Sequence, residues 1–388
     1  MKKSKEGAPA FLDWLPLGRM MGDWKQPEEN SIEALQHGIL FGDGVEFDIR
    51  VDGDGELVIF HDEFAPGESP IMERCVERLP TDYLKSTGIP TLSDLLSNRE
   101  FTEAWQSGGK TVDIEIKLPH PSTKIGTMDY MGTIMGKLEA ALEPLDLPAR
   151  SVVVSCFSPK IGAAAKSSSF SIPVIRLMPH IRAWGRFWRL KRVVAVPHFA
   201  RTTVKGITRS LRKEGMESIG MALDYLEGWP RFIHPGLPVG LRGRGLKRFF
   251  EARQGMGAFV WSAPLKHEDA LVNAGVSLVS DDMDPTVLVK PDGTPRWPRP
   301  ASQPLDEEWS KRISKASPLE RGDIMEEAFS SLPMWSDIES ERRRRIIEEQ
   351  STRMLWPGST EKWVRLAEDG LPWGSPRIIG HRGSGSTH

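Results

Sequence analysis

The segment Val45-Glu46-Phe47-Asp48-Ile49-Arg50 alternates apolar and charged residues. Successive side chains of a strand point to opposite faces, so Glu46 and Asp48 share one face while Val45, Phe47 and Ile49 share the other. Val112-Asp113-Ile114-Glu115-Ile116-Lys117 repeats the pattern and puts Asp113, Glu115 and Lys117 together. Carboxylates of Glu46, Asp48 and Glu115 gathered at strand ends repel one another unless a cation lies between them. A set of oxygen donors suits a hard divalent ion, Mg²⁺ or Ca²⁺. The alternative is that these acids only pair with Arg50 and Lys117. His61 follows the apolar run Leu57-Val58-Ile59-Phe60, and an imidazole of ordinary pKa, about 6.5, can give or take a proton near neutral pH. A structural histidine at a strand end is the other reading. Lys117 is in turn either a cation for an anionic substrate oxygen or the salt-bridge partner of Glu115.

These groups need elements to position them. From residue 16 to 285 short β-rich runs alternate with stretches of helical period, the pattern of a parallel sheet wrapped by helices. Strands are expected at 17–21, 45–50, 112–117, 151–156, 172–177, 217–222, 257–262 and 276–280. That number suits a closed (β/α)8 barrel, whose active sites lie where the strands end. Leu57 to Phe60 follows the second strand too soon for a parallel crossover and is expected to return as a hairpin, with Asp-Gly pairs at its turn. Asn30 is expected to cap a helix with Glu33 three residues on, and Pro90 and Thr91 to open another ending near Leu96.

Beyond Pro285 the composition changes to a Pro-rich stretch and then charged helical segments, so residues 291–375 form a second, helical region. Its run Arg342 to Arg345 is flanked by Glu339, Glu341, Glu348 and Glu349 at helical spacing, which describes an ion-paired, solvated face. The whole 388-residue chain carries 51 Lys and Arg against 53 Asp and Glu, a balance with no global field to draw in nucleic acid. Cys75 and Cys156 are too sparse for a disulfide framework or a thiolate metal site. No apolar run is long enough to cross a bilayer, and a cytoplasmic location is expected. Residues 180–192, wound as a helix, would put Ile181, Trp184, Phe187 and Trp188 opposite Arg182, Arg186 and Arg189. That layout suits first an outer barrel helix and second peripheral contact with a membrane.

Five blocks, in order, carry a family resemblance: Pro27-Glu28-Glu29-Asn30-Ser31, Gly44-Val45-Glu46-Phe47-Asp48, Gly55 to Asp62, Ile89-Pro90-Thr91-Leu92 and Ile114-Glu115-Ile116-Lys117. Together with Ser155-Cys156-Phe157, Val260-Trp261-Ser262 and Gly275 to Asp281, they make residues 16–286 resemble the glycerophosphodiester phosphodiesterases. The resemblance implies an α/β fold, the TIM (β/α)8 barrel with a hairpin excursion after the second strand. It also implies a metal held by Glu46, Asp48 and Glu115, His61 as one of two acid/base histidines, Lys117 on the phosphate and Trp261 in the substrate pocket. The expected activity is hydrolysis of small glycerophosphodiesters to an alcohol and glycerol phosphate. A non-catalytic barrel that binds phosphodiester or lipid head groups, or supports a second active barrel, is the alternative.

In that family the first strand ends in His-Arg-Gly, yet by the same spacing this chain has Met20-Met21-Gly22, which can neither shuttle protons nor carry charge. The missing motif stands at the other end, in Ile378-Ile379-Gly380-His381-Arg382-Gly383. The resemblance makes His381 the second catalytic histidine and Arg382 a phosphate ligand. The first expectation is that residues 376–388 begin a second barrel of a tandem protein, with 291–375 as the linker between the two. The second is that the tail supplies a replacement first strand to the N-terminal barrel, or to that of a partner copy. Coincidence is the third.

Overall fold

The computed structural model describes residues 24–178, 203–232, 237–261, 263–352 and 359–385. The expected strand 17–21 with Met20-Met21-Gly22, and the Trp/Arg stretch 180–192, lie outside them. The strands are β1 Gly44–Val51, β2 Leu57–Ile59, β3 Thr111–Ile116, β4 Val152–Cys156, β5 Val174–Arg176, β6 Ser218–Ala222, β7 Gly257–Trp261, β8 Ser277–Ser280 and β9 Ile378–Gly380. All but β2 run parallel, in the order β5-β4-β3-β1-β9-β8-β7-β6. The ends of this row meet through a parallel bridge between Leu177 and Gly220, where the Met178 N–H donates to the Gly220 carbonyl at 2.8 Å. The result is a TIM barrel. β2 returns antiparallel along β1, as expected, around a turn in which Asp52 Oδ1 accepts the N–H groups of Asp54 and Glu56.

Both faces of the strands are buried, the outer one apolar and the inner one apolar except where β1 and β3 carry their acids. Val45, Phe47, Ile49, Val112, Ile114 and Ile116 face outward into one large core with the surrounding helices. Val153, Ile175, Leu177, Phe259 and Ile379 converge inside the barrel, where Trp373 joins them with its ring 6.1 Å from that of Phe259. Helix 92–96 begins at Thr91 with a reciprocal cap to Asp94, as expected. The helix Ile32–Phe41 departs from expectation: its cap is Ser31, whose hydroxyl accepts the Ala34 N–H. Asn30 adopts φ 60° and turns its amide toward β1.

The larger correction concerns the tail. Residues 376–385 do not begin a second barrel. Ile378–Gly380 lies between β1 and β8 of this one, pairing Ile379 with Gly44 and with Val279. The physical reason is that β1 and β8 each present a row of backbone donors and acceptors that only an inserted strand can satisfy. Ile378 faces the outer helices and Ile379 the interior, and both are fully buried. Past the strand the chain crosses the start of helix 32–41, where the Asn30 N–H donates to the Arg382 carbonyl at 3.0 Å. Gly383 sits there at φ 92°, so tightly that a Cβ would stand 2.4 Å from the Ala34 carbonyl carbon.

Accordingly, residues 291–375 are not a linker between two barrels but the connection from β8 to β9. Helices Glu307–Lys315, Arg321–Ser331, Ser340–Thr352 and Ser359–Leu366 pack in two small cores beside the barrel. Arg299 ties the region down by donating to the carbonyls of Leu40 and Phe41. The expected ion pairing of the arginine run is found in Arg344–Glu348, 2.9 Å, while Arg342 lies 3.9 Å from Asp306, outside the expected partners. Both cysteines are buried and free. Among the described residues no helix is long and apolar enough to cross a membrane. Gly383→Ala adds a Cβ at a left-handed backbone position against the main chain of helix 32–41. It should cost about 2 to 4 kcal/mol, read as a lower urea midpoint at unchanged slope.

Candidate active site

β1 and β3 pair in a register that sets Glu46 beside Asp113 and Asp48 beside Glu115. Strand alternation then delivers the acids to one spot, since Glu46, Asp48 and Glu115 each offer an oxygen within 4.8 Å of the others. All three are buried. Burial, and after it the charges of Asp48 and Glu115, push the Glu46 carboxyl up to about 8. Burial also pushes Asp48 upward, but Lys117, His61 and Arg382 prevail and hold it well below the usual carboxylate range. Asn30 fixes this group from the side, donating from Nδ2 to Asp48 Oδ2 at 2.9 Å and accepting the Asp48 N–H at 3.2 Å.

Lys117 bridges the cluster, 2.6 Å from Glu115 Oε1 and 2.9 Å from Asp48 Oδ1. Burial opposes its charge, yet Asp48 and Glu115 raise its pKa above the ordinary lysine value. The expected pairing with Glu115 is therefore present, while Arg50 does not pair with the three acids. Its guanidinium turns to Glu77 at 2.7 Å and to the carbonyls of His61 and Leu118. The acids thus have one lysine and, as described below, one arginine against three carboxylates. Asp48 Oδ1 is buried and accepts no hydrogen bond of acceptable geometry. Such a crowded all-oxygen set fits a hard divalent cation, with Glu46, Asp48 and Glu115 as its ligands.

β9 brings the remaining chemistry. Because Ser280 and Val45 both pair with Gly380, the next residue, His381, falls between Asp281 and Glu46. Its Nδ1 lies 2.6 Å from Asp281 Oδ1 and its Nε2 3.9 Å from Glu46 Oε2. A carboxylate on Nδ1 keeps the proton there in the neutral ring and leaves Nε2 to face the site. Burial lowers the His381 pKa, but the hydrogen bond to Asp281 and the charge of Glu46 outweigh it, and the net shift is upward. Arg382 donates its backbone N–H to Glu46 Oε2 at 3.0 Å. Its guanidinium reaches Glu29 at 2.6 Å and Asp48 Oδ2 at 3.2 Å.

His61 emerges past β2 with its side chain 37 % exposed and Nδ1 2.7 Å from Asp62 Oδ1. It lines the same cavity, of about 660 Å³, as Glu46, Glu115, Lys117, His381 and Arg382. The lining also includes the apolar Phe157, Leu223, Trp261 and Pro264, with Asp224, Lys266 and His267 beside them. The rings of Phe157 and Trp261 meet edge to face at 5.5 Å. Trp261 thus lines the cavity that holds the acids and histidines. Sequence reasoning missed Asp281, Asn30 and Phe157 as parts of the site. Each stands in a motif block, but only the placement of β9 makes Asp281 the partner of a histidine one hundred positions away. Asp281→Asn removes the carboxylate that overcomes burial, so the His381 ring should titrate at lower pH than in the parent chain. An imidazole NMR titration reads this, and an unchanged midpoint would contradict it.

The model of the glycerophosphoryl diester phosphodiesterase family matches residues 18–196. No functionally curated protein matches the sequence. Among solved structures, a glycerophosphodiester phosphodiesterase from Thermotoga maritima is 15 % identical, with 66 % of this chain and 90 % of that one covered at a TM-score of 0.42. One from Parabacteroides distasonis is 16 % identical, with coverages of 69 % and 92 % and a TM-score of 0.44. A phosphodiesterase from Oleispira antarctica in complex with the product sn-glycerol-3-phosphate is 16 % identical, with coverages of 66 % and 87 % and a TM-score of 0.41. At TM-scores below 0.5 these likenesses bear no weight beside the family match. By that match, residues 18–196 are similar to the glycerophosphoryl diester phosphodiesterase family.

Proposed function

We propose that this protein is a divalent-metal-dependent phosphoric diester hydrolase that cleaves small glycerophosphodiesters to an alcohol and glycerol phosphate. The observation that carries the proposal is that two histidines from distant parts of the chain, His61 and His381, line one cavity with Glu46 and Glu115, whose carboxylates cluster with that of Asp48. When bound by Glu46, Asp48 and Glu115, the ion supplies a Lewis acid for the phosphodiester oxygens. Lys117 and Arg382 offer positive charge to the same oxygens. A water oxygen bonds to phosphorus and gives its proton to one imidazole. The bond from phosphorus to the alcohol oxygen breaks, and the other imidazole protonates that oxygen. Asp281 and Asp62 hold the two rings by their Nδ1 atoms, leaving both Nε2 atoms for this exchange. Trp261 and Phe157 bound the space for the ester arms.

The rival reading, a barrel that binds without catalysis, drew its support from Met20-Met21-Gly22 in place of His-Arg-Gly. With His381 and Arg382 beside Glu46, an acid/base group and a cation stand at the site whatever residues 20–22 do. The test is release of alcohol from glycerophosphocholine and glycerophosphoethanolamine with Mg²⁺ or Ca²⁺, and with chelator. Hydrolysis should require the metal, and His61→Ala and His381→Ala should each lower kcat by about 10²- to 10⁴-fold. Absence of hydrolysis with either metal, or full rates in both variants, would overturn the proposal. In calorimetric titrations Glu46→Gln should weaken divalent-ion binding by more than the roughly 10- to 100-fold that loss of an outer partner costs.

A further inference from the structure

β9 is only three residues long and shares two register pairs with β1 and three with β8. A strand so short specifies its own register weakly, and a slip of one residue turns every side chain to the other face. In the observed register Ile378 faces outward and Ile379 inward, so His381 also faces inward, between Asp281 and Glu46. A slip by one would send the imidazole out of the cavity and bring a neighbour in.

What holds the register lies at the opposite end of the barrel. Asp43, immediately before β1, is fully buried. Its Oδ2 accepts the Ile378 N–H at 3.0 Å, and its own N–H donates to the Ile378 carbonyl at 2.7 Å. Its Oδ1 accepts the N–H groups of Ser302 at 2.7 Å and Ala301 at 3.2 Å, from the helical region. One carboxylate thus joins β1, the connection from β8, and the first residue of the tail strand. Arg377 folds the approach to that strand, donating to Thr111 Oγ1 and to the carbonyls of Leu371, Pro372 and Ser375. None of these bonds touches the cavity, so Asp43 can affect chemistry only by way of the strands it joins, the tail strand and β1.

We infer that Asp43 is a positioning residue for His381 and Arg382, setting through Ile378 the register that turns the histidine into the site and coupling the helical region to that register. The kinetic part of this inference rests on the proposed hydrolysis, and the structural part on the bonding of Asp43 alone. The test compares the full-length chain with Asp43→Asn and Asp43→Ala, saturated with divalent ion. A misplacement near 1 Å costs about 100-fold in rate, so kcat should fall about tenfold in the Asn variant and about 100-fold in the Ala variant, with KM within about twofold of the parent. Amide hydrogen exchange should quicken at Ile379, Gly380 and His381 and stay unchanged at Val112 to Ile116, with divalent-ion binding retained. A folded variant with parent kcat and parent exchange at 379–381, altered only in melting temperature, overturns the inference, and so does exchange that quickens uniformly over the barrel. If the Ala variant does not fold, the milder Asn variant decides. If the parent chain hydrolyses no glycerophosphodiester, the proposed function fails while the exchange pattern still decides the role of Asp43.

Discussion

A parallel barrel with one strand missing leaves two open edges, and a β-edge in the middle of a closed sheet cannot be left to water. Here β1 and β8 are those edges, and Ile378–Gly380 fills the gap between them. Everything at the mouth depends on that insertion. The strand places His381 between Asp281 and Glu46, gives Arg382 its contacts with Glu29 and Asp48, and packs Gly383 against the first turn of helix 32–41. The helical region makes it possible, carrying the chain from the mouth, where β8 ends, to the far end, where β9 begins.

The site is an electrostatic compromise. Three buried carboxylates within coordination distance of one another would be untenable alone, and Lys117 and Arg382 relieve only part of the repulsion, while burial first and then the charges of Asp48 and Glu115 push Glu46 upward. That residual tension is what a divalent ion would relieve. Two of the cationic or proton-carrying groups beside the acids, His381 and Arg382, come from the tail, so charge balance and strand insertion reinforce each other.

Much of this was legible in the sequence, for local reasons. Period-2 alternation fixed the faces of 45–50 and 112–117, and the described strands other than β9 begin and end within two residues of expectation because apolar runs bounded by turn residues are a local signal. The motif His381-Arg382-Gly383 was equally visible. Its place was left open, because sequence order says nothing about which gap in a sheet a distant segment will fill: a second barrel was the first expectation and a replacement strand for this barrel the second. Asn30 shows a smaller failure of the same kind. A cap was expected from its neighbours, but the hydrogen bond to Asp48, eighteen positions away, drew its side chain elsewhere while Ser31 took the cap.

The insertion of the tail strand can be observed directly. In a sample labelled at glycine and isoleucine, nuclear Overhauser effects should connect the backbone of Ile379 with that of Gly44 on one side and Val279 on the other, and Gly380 with Val45 and Ser280. Absence of all four contacts, with Ile378 and Ile379 showing amide exchange as fast as an unstructured chain, would contradict the central claim that this strand completes the barrel and its site.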